Sequence, residues 1–156
     1  MLPLNDDTDY GLCFACGPRN ETGMRLRFEV EGDRILTRYT ARPEHQGFPG
    51  YLHGGVISAL LDEVMSRVSL LEGKWTMTAK MEVRFRKPVL IGQEVTAVGK
   101  LAEKGRGLVK TEGSAVLPDG TIAAQATATF VFVAEETLAR MSAGYPGLAS
   151  TWMKQE

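Results

Sequence analysis

The residues able to do chemistry lie close together in one stretch of this 156-residue chain: His53-Gly54-Gly55-Val56-Ile57-Ser58-Ala59-Leu60-Leu61-Asp62-Glu63. The first N–H groups of a helix lack an intrahelical acceptor and sit at the positive end of its dipole. Gly54 and Gly55 carry no side chain to cover those groups, so a carbonyl oxygen can approach them closely. The two acids further along have different neighbours. Glu63 has Arg67 four residues on, the spacing of a helix-surface ion pair. Asp62 has no basic residue at 58, 59, 65 or 66 and shares its face with Gly55, Ser58, Ala59 and Ser66. A carboxylate in that setting suits activation of water or direct attack on a carbonyl held at the helix entry. The plainer alternative is a solvated helix face that happens to carry Asp.

These groups need a helix to hold them. Ile57, Leu60, Leu61, Val64, Val68 and Leu71 recur at helical spacing and predict one helix over about 54–71, stopped at Glu72-Gly73. The loop 42–52, with two prolines and two glycines, delivers the chain to His53. Before it, 24–30 alternates apolar and polar residues. Gly32-Asp33 marks a hairpin, and 34–41 is the second strand. After the helix the pattern is all strand: 75–86, 93–102, 108–117 and 121–134. In 75–86, strict alternation puts Met77, Ala79, Met81, Val83 and Phe85 on one face. Thr76, Thr78, Lys80, Glu82, Arg84 and Arg86 fall on the other. The chain begins as a loop or short irregular helix to residue 23. A short helix over 135–141 precedes an irregular tail at Gly144, Pro146 and Gly147. Two strands, a helix and four strands lack the alternating helices of a doubly wound sheet. The order predicts an α+β fold, a single antiparallel sheet of about six strands wrapped round one long helix.

The length fits one domain, 1–156, with its core at about 11–134. A 44% apolar and 24% charged composition is that of an ordinary globular protein. The net charge of -1 offers no electrostatic case for nucleic acid or an anionic membrane. No apolar run is long enough to span a bilayer. The acidic start, Met1 to Asp7, has no signal-peptide core, so a cytoplasmic location is expected. Cys13 and Cys16 form a C-x-x-C. No second such pair exists, and His45 and His53 are the only histidines, so a four-ligand zinc site would consume both. A thioredoxin-like reading lacks its βαβ context. The expectation is two reduced cysteines in a turn before the first strand, and no metal.

The stretch from His53 to Glu63 resembles the central helix of hot-dog-fold thioesterases of the PaaI type. Arg84-Phe85-Arg86-Lys87-Pro88-Val89 followed by Gly92 resembles the next strand and turn of that family. Cys13-Phe14-Ala15-Cys16-Gly17 and His45-Gln46-Gly47 resemble a subgroup of it. The resemblance implies hydrolysis of an acyl-CoA thioester, with Gly54 and Gly55 N–H groups as oxyanion donors and Asp62 as general base or nucleophile. It implies that His53 orients the loop or helps hold the thioester, and that Thr78 orients the water. Relatives carry Asn six residues before the histidine. This chain has Gly47 there, with Gln46 as the nearest amide. No cofactor is implied, because CoA is part of the substrate. Its phosphates need cations, and Arg84, Arg86, Lys87, Lys104 and Arg106 are the candidates. The family also implies a homodimer or homotetramer with active sites at the subunit interface.

Three other readings fit the sequence less well. Hot-dog hydratases of one class place Asp five residues before His, but Thr40 and Phe48 stand five before His45 and His53. A non-catalytic acyl-CoA-binding regulator needs a DNA-binding segment, and about 22 residues before the first strand cannot form a helix-turn-helix of ordinary size. A purely structural domain has no use for Asp62 behind His-Gly-Gly.

Overall fold

The computed structural model describes residues 9–144. Six strands, β1 (Phe28–Glu31), β2 (Arg34–Thr40), β3 (Thr76–Phe85), β4 (Glu94–Gly105), β5 (Leu108–Val116) and β6 (Ile122–Phe132), form one antiparallel sheet. Their order is β1-β2-β4-β5-β6-β3. Helix α1 (Gly54–Ser66) lies across one face of the sheet, and α2 (Glu135–Gly144) follows β6. This is the expected α+β architecture, a hot-dog fold. The expected irregular tail at Pro146 and Gly147 lies outside the described residues, as do residues 1–8. Among the described residues no helix is long and apolar enough to cross a membrane.

The sheet accepts the helix because its central strands carry small residues there. Ala97 and Gly99 on β4, Gly113 and Ala115 on β5, and Ala124, Ala126 and Ala128 on β6 make a shallow trough. Ile57, Leu60, Leu61, Val64 and Met65 of α1 are at most 3% exposed. A Cβ at Gly99 would stand 2.7 Å from the Val64 carbonyl oxygen, so β4 needs a glycine where the helix backbone comes closest. The alanines of β6 therefore point inward. Gln125, Thr127 and Thr129 take the outer face.

Three local expectations change. The first strand starts at Phe28, not Met24. The N–H groups of Met24 and Leu26 bond instead to the carbonyls of Phe14 (2.7 Å) and Ala15 (2.9 Å), and Arg25 takes a left-handed φ of 52° between them. The α-helix also ends sooner than residue 71. From Arg67 to Glu72 it tightens into a 3₁₀ turn, closed by Gly73 at φ 64° with its N–H on Leu70 O. The tighter winding rotates Leu71 off the buried stripe, and it is 38% exposed. Finally, strict alternation in β3 fails. The register with β6 passes from Thr78↔Phe130 to Lys80↔Thr129, leaving Ala79 as a bulge. Thr76 and Thr78 consequently share the helix-facing side with Met81, Val83 and Phe85.

Candidate active site

The entry to α1 is built on His53. As the N-cap it accepts the Gly55 N–H on its Nδ1 at 2.8 Å. A Cβ on Gly55 would sit 2.9 Å from that nitrogen, so the cap requires glycine there. The N–H groups of Val56 and Ile57 both go to the His53 carbonyl, at 3.0 and 3.2 Å. Gly54 is left as the one residue of this first turn whose N–H has no acceptor among the described residues. The expectation that Gly55 serves as a second oxyanion donor is therefore corrected: its N–H is engaged by the cap. The Phe85 ring lies 3.5 Å from where a Gly54 Cβ would be, and forms one wall beside the free N–H.

Gln46 plays a different part from the one expected of an amide over the thioester. Its Oε1 accepts the Gly50 N–H at 3.2 Å, and its backbone bridges Leu52, closing the loop that delivers His53. The loop leans on His45, which is buried. Its Nε2 stands 2.5 Å from Thr22 O, which fixes the proton on Nε2. Its Nδ1 then accepts from Tyr39 Oη at 2.5 Å. Its carbonyl takes the His53 N–H at 3.0 Å. His45 is thus a strut for the helix entry.

Asp62 lies two turns along α1 on the half-buried side that faces β3. Its Oδ1 accepts a hydrogen bond from Thr78 Oγ1 at 2.8 Å. The bulge at Ala79 makes this contact possible, since an unbroken pleat would aim Thr78 outward. Burial raises the Asp62 carboxyl above its ordinary value, the Thr78 hydroxyl pulls it partly back, and the Glu63 charge pushes it up further. The result is a carboxylate with raised proton affinity and one oriented oxygen, as a base for water requires. Eight residues of helix, about 12 Å at 1.5 Å each, separate it from Gly54.

Glu63 is not a surface residue. It pairs with Arg67 at 2.6 Å, and the Arg67 side chain is only 7% exposed. That guanidinium also donates to Cys16 Sγ at 3.0 Å and lies 4.7 Å from the centre of the Phe28 ring. The proposed phosphate-binding cations do not form one patch. Arg84 and Arg86 border a groove of about 720 Å³ on the outer face, opposite α1, and Arg86 donates to Gln125 at 2.8 Å. Lys87 follows just beyond β3. Lys104 and Arg106 lie at the other end of the sheet, at the β4–β5 hairpin, where Lys104 pairs with Glu72. The expected set of five is therefore split.

The thioesterase superfamily model matches residues 49–124, the span from the loop before His53 to the first residues of β6. The acyl-coenzyme A thioesterase THEM4 of Mus musculus is 30% identical over 87 residues, 55% of this chain and 37% of that protein. The mouse acyl-coenzyme A thioesterase THEM5 is 34% identical over 65 residues, 42% and 26% of the two chains. This chain thus spans under half the length of the curated relatives it matches. Among solved structures, a thioesterase superfamily protein superimposes with a TM-score of 0.70 at 30% identity, covering 74% of this chain and 60% of the other. A Streptococcus mutans UA159 protein bound to acetyl CoA superimposes with a TM-score of 0.66 at 19% identity, covering 69% and 88%.

Proposed function

We propose that this chain, which has the hot-dog fold and matches the thioesterase superfamily model over residues 49–124, hydrolyses an acyl-CoA thioester to the free acid and CoA. The observation that carries the proposal is a pair of unspent groups on one helix. Gly54 offers the uncommitted N–H for the developing oxyanion. Asp62, held by Thr78, acts as the base for water or as the nucleophile. His53 shapes the helix entry through its cap. Phosphate contact falls to Arg84, Arg86 and Lys87, which lie at one end of β3. The acyl-CoA thioesterases similar to this chain, and the solved relative that holds acetyl CoA, support the substrate class. A cytoplasmic location goes with the same reading.

The separation of about 12 Å between Gly54 and Asp62 decides how the site is assembled. A carbonyl held by an N–H and attacked by a neighbouring water needs both groups within about 3 Å of the reacting atoms. One chain cannot supply both, so the working site lies between two copies. Strand β3 offers the seam. Among the described residues it pairs only with β6, and its other edge runs ten residues with Met77 and Phe85 half exposed. Pairing β3 to β3 about a twofold axis lays the two helices antiparallel on one face of a continuous sheet. Gly54 of one copy then approaches Asp62 of the other.

The test measures thiol release from a panel of acyl-CoA esters. Gly54→Pro removes the N–H at the first helical position, where proline is tolerated, and His53 at φ -64°, ψ 135° already has the backbone a following proline demands. Turnover should fall by about 10²–10³-fold. Gly54→Pro and Asp62→Asn chains, each inactive alone, should on co-refolding regain about a quarter of wild-type activity, since half the dimers are mixed and each holds one intact site. Full activity in either variant alone sinks the assignment. Absence of rescue sinks the two-chain site.

A further inference from the structure

We propose that Cys13 and Cys16 form a redox-active dithiol, in which Cys13 takes an incoming low-molecular-weight disulfide and Cys16 resolves it into an intramolecular disulfide. The backbone holds the pair ready. Gly17 N–H bonds to Cys13 O at 2.9 Å and closes a tight turn. A Cβ at Gly17 would strike Cys13 N and Gly11 O at 2.5 Å, so the turn admits only glycine there. The two sulfur atoms lie within 4.8 Å of each other, both reduced.

The two thiols are unequal, as attack and resolution require. Cys13 is partly exposed and borders a cavity of about 170 Å³ lined also by Ser66, Trp75 and Thr76. Cys16 is buried at 5% exposure beneath it. The charged groups facing the pair are Glu63 and Arg67, both from the α1 segment, and the guanidinium donates to Cys16 Sγ. Hydrogen bonds from Cys16 hold the Cys13 thiol down at about 6, against the burial that opposes it, while the Cys16 thiol, giving its proton to Cys13, is pushed up. A metal ion fits the cluster poorly. Cys13, Cys16 and Glu63 offer three donors, but Arg67 already stands among them, 2.6 Å from Glu63 and 3.0 Å from Cys16. A cation would add its charge against a buried guanidinium.

The exchange balances as follows. Cys13 thiolate attacks one sulfur of the small disulfide, whose S–S bond breaks and releases one thiolate. Cys16 then attacks Cys13 Sγ and expels the second thiolate, which takes the Cys16 proton. The first thiolate takes the proton Cys13 had lost to solvent. Two protein thiols are oxidised to one disulfide, and the small disulfide is reduced to two thiols.

The probe is glutathione disulfide on the folded full chain, followed by acid quench and mass measurement. Wild type should lose two hydrogens and block both thiols. Cys16→Ser should stop at the glutathione adduct on Ser-paired Cys13, and Cys13→Ser should stay unmodified. Iodoacetamide labelling of wild type needs no variant. Cys13 should label about threefold faster than a free cysteine at neutral pH, its larger thiolate fraction being offset by lower intrinsic nucleophilicity. That rate should titrate near pH 6. Wild type that stays reduced or stops at the adduct overturns the proposal. So does equal reactivity of both cysteines, or stoichiometric zinc that is lost in the double serine variant.

Discussion

Asp62 is the proposed base or nucleophile, and its surroundings set its response to pH. Asp62→Asn keeps the shape and removes the charge, so thiol release should fall by about 10²–10⁴-fold in a coupled thiol assay. The folded carboxyl keeps its proton to higher pH than the unfolded one, chiefly through burial. Protonation thus stabilises the fold below the unfolded value of 3.8, and that benefit is lost as pH rises through the higher folded value. At neutral pH Asp62→Asn should therefore melt at or above wild type, and the difference should shrink as pH drops below about 4. Thr78→Val removes the bond that lowers the carboxyl, so the acid limb of the kcat/KM profile should move to higher pH. The rate should drop on the order of tenfold, the worth of one hydrogen bond to a charge. An unmoved acid limb would show that Asp62 is not the titrating base. The sequence singles out Asp62 as a candidate, because the absence of a basic neighbour at helical spacing is a local fact. It misread Glu63, because the burial of Arg67 under Phe28 and Cys16 depends on residues that are distant in the chain.

Helix α1 shows what element-level patterns capture and what they miss. Its entry at His53, its buried stripe and the stop of the helical segment at Gly73 follow from periodicity and glycine placement. The change to 3₁₀ winding does not; it begins at Arg67, whose side chain is held by Glu63 and Cys16. The bulge in β3 was equally hidden: Ala79 has no special turn chemistry, and only its pairing with β6 reveals it. Glu63→Gln strips the partner charge from a buried guanidinium and should cost about 3 kcal/mol in urea unfolding, well beyond a surface pair. Gly99→Ala forces a methyl against the Val64 carbonyl and should cost about 1–3 kcal/mol. At Gly113 the nearest obstacle is the flexible Met65 side chain, so Gly113→Ala should cost less. Equal costs at the two sites would mean that helix and sheet are not in close backbone contact at β4.

At the scale of the whole molecule, the architecture was readable from the order of elements, while the partition of cations was not. Arg84 and Arg86 lie at one end of the sheet and Lys104 at the other, because β3 and β4 run in opposite directions. The free edge of β3 predicts self-association. Light scattering should give a multiple of the 17.1 kDa chain mass. Met77→Lys, which puts a charge on that exposed edge, should shift the population toward monomer and reduce turnover with it. A fully active monomer would contradict the shared site.

The single extra residue in β3 also bears on how this chain can vary through evolution. Insertions and deletions are usually confined to loops, yet here a strand carries one residue more than its partner and sets it aside as a bulge. Thr78 stands opposite Phe130 and Lys80 opposite Thr129, so removing Ala79 would close the ladder with Thr76 and Thr78 still on the helix-facing side. Such a deletion variant should remain folded and keep its activity, because Thr78 still meets Asp62. A lineage could therefore gain or lose a residue in the middle of this strand without disturbing the site, through a gap that a site-by-site comparison would score as damaging.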